Sequence, residues 1–93
     1  MKFKKKKVED CFDGSRIFEY ALFVPVGPGL IEQLGTLGNL EYFRDFPRPF
    51  YRIITDSGAI IKGIEGENYF RVIYTKSGLE NEMPFLDNKI TDI

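Results

Sequence analysis

The chain has no histidine, no tryptophan and one cysteine, Cys11, in 93 residues. One cysteine excludes an internal disulfide framework. Without histidine there is no zinc-type ligand set, and the usual base partner for a nucleophile is missing. No run approaches the roughly 18 apolar residues of a membrane span. The basic start is followed by Glu9, Asp10 and Asp13 rather than by an apolar signal core. A cytoplasmic location and no membrane association are therefore expected.

Charge is close to balanced in sum but not in place. Lys2, Lys4, Lys5, Lys6 and Lys7 hold five of the thirteen basic residues. Residues 8–93 carry eight basic and fourteen acidic side chains, a net charge of −6. A dedicated nucleic-acid binder is usually basic throughout. The composition is 43% apolar and 15% aromatic, enough for a folded core. Nine Phe and five Tyr replace the bulk that Trp would give.

The segment from Phe50 to Thr75 alternates as two hairpins. The first turns at Asp56-Ser57-Gly58, a three-residue loop with Gly where a left-handed residue is needed. The second turns near Gly66-Glu67. One face then holds Tyr51, Ile53, Ala59, Ile61, Phe70, Val72 and Tyr74, without charge, and reads as the core face. The other face is layered. Phe50, Ile64 and Tyr69 form one row; Arg52, Lys62 and Arg71 the next; Ile54, Ile60 and Ile73 the third. Like charges directly opposite destabilise a sheet. The cation row therefore calls for something negative, from the protein itself or from a partner.

Arg16 to Val26 reads as a further strand after the Asp13-Gly14-Ser15 turn. Gly27-Pro28-Gly29 breaks it and opens a short helix, with Pro tolerated in the first turn. Leu30, Ile31, Leu34 and Leu37 give that helix one buried stripe, and Gly38-Asn39 reads as its stop. Leu40 to Phe46 is either another helical turn or an extended connection. The expected fold is α+β: one short helix on a mainly antiparallel sheet of four or five strands, in the order (β)-β-α-β-β-β. Residues 1–9 are a basic arm or an edge strand. Residues 10–78 make a single domain, and 79–93 an acidic tail expected to be mobile. The strand, Gly-Pro-Gly-Leu and helix order resembles the opening of small ligand-sensing βαβ domains. No counterpart of their second helix is expected after Thr75, where the chain is acidic and interrupted by Pro84.

No catalytic constellation emerges. Cys11 is flanked by Asp10 and Asp13, which oppose a thiolate. Neither a metal site nor a cofactor fingerprint is present in the sequence. The candidate binding surface is Phe50, Arg52, Lys62, Ile64, Tyr69 and Arg71. A weaker candidate is an anion held by backbone N–H groups at Gly27 and Gly29. The function expected is a small non-catalytic interaction or regulatory module, with a protein partner or self-association. The alternative is a binder of single-stranded nucleic acid or another polyanion, using the aromatic and basic rows and the lysine arm.

Overall fold

The computed structural model describes all of residues 1–93. Six strands form one antiparallel sheet: β1 (Phe3–Asp10), β2 (Arg16–Leu22), β3 (Gly38–Phe43), β4 (Phe50–Thr55), β5 (Ile60–Ile64) and β6 (Tyr69–Tyr74). Helix α1 (Pro28–Gly35) lies between β2 and β3, and α2 (Glu82–Thr91) follows β6. The sheet order is β1-β2-β6-β5-β4-β3. No helix is long and apolar enough to cross a membrane.

This corrects the expectation of one helix on four or five strands. The additional strand is β3. It pairs with β4 from Gly38↔Thr55 to Phe43↔Phe50. Gly38, read as a helix stop, begins this strand because only hydrogen fits there. A Cβ would lie 2.8 Å from the Ile54 carbonyl carbon and the Thr55 Cα, backbone atoms that cannot yield. Helix α1 stops earlier, at Gly35. The first predicted strand also ends earlier, at Leu22.

The additional helix is α2, in the segment read as an acidic tail. Pro84 does not break it. It sits in the first turn, where backbone N–H groups have no intrahelical acceptor to lose. Leu86 and Ile90 are buried in the core, with Met83 and Ile93 packed beside them. Their spacing is one apolar helical stripe.

Both helices cover one face of the sheet. That face buries Tyr20, Leu22, Tyr51, Ile53, Ile61, Phe70, Val72 and Tyr74. Tyr20 stacks on Phe70 with ring centroids 5.3 Å apart. The Tyr20 and Tyr74 hydroxyls are hydrogen-bonded to each other, and the Tyr20 hydroxyl donates to Asp87 of α2 at 2.6 Å. Lys5 of β1 reaches the same carboxylate at 2.5 Å. This chain of polar groups fixes α2 over β2 and β6. Beside it, Glu82 accepts a hydrogen bond from the Thr55 hydroxyl at 3.3 Å. The other edge of the core is less well served. The Tyr51 hydroxyl is buried without a partner and lies against Gly63. Removing an unpaired buried hydroxyl relieves its desolvation cost. Tyr51→Phe should therefore hold or raise stability, by up to about 1 kcal/mol in a denaturant melt. A clear loss would show that the hydroxyl has a partner.

Residues Phe3–Asp10 form the edge strand β1, paired with β2 and carrying an irregularity between Lys7 and Glu9. Lysines and a bulge both deter pairing with another sheet. The opposite edge, β3, carries one charged residue, Glu41.

Candidate functional site on the outer face

The face away from the helices is uncovered, and its chemistry follows from register. The three-residue loop at Asp56–Gly58 has Gly58 at φ +94°. It brings Arg52 opposite Lys62, and the next hairpin brings Lys62 opposite Arg71. The row continues on both sides. Arg52 lies opposite Glu41 on β3. Arg71 lies opposite Glu19 on β2, and Glu19 opposite Lys6 on β1. One ribbon of charge thus crosses all six strands, in the order Glu41, Arg52, Lys62, Arg71, Glu19, Lys6.

The outer members of the cation row are paired. The Arg52 Nε and a terminal nitrogen both donate to one Glu41 oxygen at 2.7 Å. Arg71 donates to Glu19 at 3.3 and 3.4 Å. Lys6 closes on the second Glu19 oxygen at 3.7 Å. Each exposed pair contributes little to stability, about 0–1 kcal/mol, and Glu19 is shared between Arg71 and Lys6. Lys62 is exposed and makes neither a hydrogen bond nor an ion pair. It stands as the one cation of the ribbon without a carboxylate partner, between two arginines turned toward carboxylates.

Apolar rows flank the ribbon. On one side Phe43 stacks on Phe50 with ring centroids 4.6 Å apart. Phe46, from the loop before β4, leans on Phe50 at 5.2 Å. Ile64 lies opposite Phe50 on β5. On the other side Ile54 pairs with Ile60, Ile60 with Ile73 and Ile73 with Ile17. Phe50 and Ile54 are 37% and 40% exposed, high for large apolar side chains on a sheet.

Phe50, Arg52, Lys62, Ile64, Tyr69 and Arg71 all line one groove of about 480 Å³ on this face. The structure brings these six predicted residues together. Phe43 also lines the groove and was missed, as was Glu41, because their strand was not assigned. The signal available was alternation: Leu40 and Tyr42 face one way, Glu41 and Phe43 the other. Gly27 and Gly29 do not line this groove. Gly27 caps α1 without a side-chain hydrogen bond. A Cβ at either glycine would meet nothing within 4 Å, so no close approach requires them.

The tool kit for bond-making chemistry is thin at this surface. Its two carboxylates, Glu19 and Glu41, are held by arginines. No three His, Cys, Asp or Glu side chains converge as a metal-binding group. Cys11 lies beyond the sheet end with its sulfur 3.8 Å from a Glu9 oxygen. The outer face offers one unpaired ammonium group between two apolar strips. The chain matches no protein-family model, no curated protein and no solved structure.

Proposed function

We propose that this protein is a small non-catalytic interaction module whose binding surface is the uncovered outer face of its sheet. The observation that carries the reading is Lys62. Its neighbours Arg52 and Arg71 are neutralised from within, and it is not. The surrounding groove is within the usual size of ligand sites, about 300–1,000 Å³. Uncovered apolar surface next to it marks a face that gains by being covered.

The aromatic strip beside the cations favours a second reading, in which the face stacks and neutralises single-stranded nucleic acid. Charge weighs against it. Phosphates tracking the ribbon would meet Glu19 and Glu41 beside the cations. Three lysines of β1 are also engaged, Lys5 with Asp87, Lys6 with Glu19 and Lys7 with Asp10.

Capture from lysate of the source cell separates these readings, using the wild type and Lys62→Glu as baits, with and without nuclease. Lys62→Glu is exposed and flanked by two arginines, so it should fold. The expected result is a protein retained by the wild type after nuclease and lost from the variant. Equal capture by both baits would sink the outer-face reading. Recovery that vanishes with nuclease would favour nucleic acid.

A further inference from the structure

We infer that the outer face takes an extended acidic segment of a partner protein, in which one carboxylate side chain is flanked by apolar residues two positions away on either side. This rests on the outer-face reading above and names the partner's chemistry.

The argument is one of matching periods. Along a strand, side chains on one face recur every second residue, about 6.6–6.8 Å apart. The rows of Phe50, Arg52 and Ile54, and those of Ile64, Lys62 and Ile60, are spaced in that way on β4 and β5. Each reads apolar, cationic, apolar. A segment in extended conformation has the same repeat. Laid along the strands, its side chains at i, i+2 and i+4 meet the two apolar rows and the cation row together. The central one must be an acid, because Lys62 offers an ammonium group without an internal acceptor. The outer two must be apolar to cover Phe50 and Ile64 on one side, Ile54 and Ile60 on the other.

Charge selects among occupants. A second copy of this chain would meet Lys62 with carboxylates, Glu41 and Glu19, that are already held by arginines. A polynucleotide would bring a charge at every residue, where the face has one unpaired cation flanked by ion pairs. A free small acid would fill the groove but leave the isoleucine row bare. One carboxylate in an apolar, extended segment satisfies all three rows. The acidic residue sets selectivity and register, while the apolar residues supply most of the buried area.

The test is an amide chemical-shift titration of the labelled protein with four probes. One is a short peptide with glutamate flanked two residues away by apolar side chains. The second has glutamine in place of glutamate. The third is a mixed-sequence oligonucleotide, and the fourth a small aromatic carboxylic acid. The glutamate peptide should shift residues of β4, β5 and β6 around Lys62. The glutamine peptide should bind about five- to tenfold more weakly, as for one partly shielded charge pair. Lys62→Glu should lose the preference for the glutamate peptide over the glutamine peptide. Equal binding of the glutamate and glutamine peptides would overturn the acidic assignment while leaving the outer-face reading intact. Outer-face shifts with the oligonucleotide or the small acid, and not with the peptides, would replace the partner class. No shift on this face with any probe would overturn the inference; equal capture by both lysate baits would remove the reading beneath it.

Discussion

Leu34→Ala should lower the free energy of unfolding by about 2–5 kcal/mol, the cost of a large-to-small change at a buried site. Leu34 is fully buried, on the side of α1 that faces the sheet. Helix α1 has only eight residues. A helix that short has little stability of its own and depends on the face it buries. Neither end adds much. There is no side-chain N-cap bond, no acidic residue in the first turn and no basic residue in the last. Leu34 and Ile31 are its buried anchors, so truncating one removes a large share of the docking. Domains of this size are stable by about 5–15 kcal/mol, so the loss should be obvious in a urea melt. A change below about 1 kcal/mol would mean that α1 is not held by this side chain.

Alkaline titration should unfold the protein cooperatively. Tyr20, Tyr51 and Tyr74 are buried, and burial raises the hydroxyl pKa of each well above its ordinary value. For Tyr20 the hydrogen bond to the Asp87 carboxylate pushes in the same direction. The folded state keeps all three protonated; the unfolded chain ionises them near pH ~10. Protons are thus bound more tightly in the folded state. The stability they contribute is present in full below about pH 10 and is lost progressively above it. Phenolate absorbance and the circular-dichroism signal of the sheet should therefore change together. Phenolate forming in Tyr20, Tyr51 and Tyr74 at about pH 10 with an intact sheet signal would contradict this.

The meander from Phe50 to Tyr74 was legible because three signals agreed. The alternation had period two, the loop at Asp56–Gly58 had a glycine at its left-handed position, and one register alone kept charge off a whole face. That register by itself places Arg52, Lys62 and Arg71 in a row. The pairing of Arg71 with Glu19 was one of several options in the sequence, since Glu65 and the acidic C-terminal segment offered the same chemistry. Geometry chose Glu19. The pairing of Arg52 with Glu41 was not legible, because Leu40–Phe46 mixes helical and extended signals, and Pro47 and Pro49 follow it. Pairing with β4 decides for the strand, a non-local effect that a short window does not contain. Helix α2 failed for a different reason. Its acids and Pro84 read as signs of a mobile tail, and the stripe of Met83, Leu86, Ile90 and Ile93 went unrecognised. Glu82 and Asp87 are instead held by Thr55, Tyr20 and Lys5, and Pro84 occupies a first-turn position.

The passage from β2 to β3 has a mechanical consequence. These strands are the second and the last of the sheet order. They run in the same direction, because four antiparallel steps separate them. The connection must therefore cross four strand spacings, about 19 Å. Five residues, 23–27, lead from β2 into α1, and two, Thr36 and Leu37, join its end to β3; α1 itself packs on β3 and β4. The chain ahead of the helix makes most of that crossing, and on the way Val26 is hydrogen-bonded to Glu67 and Gly66 of the β5–β6 turn. Val26 is thus a rivet between the crossing chain and the sheet end, so disturbing it should loosen α1 and the β5–β6 turn together.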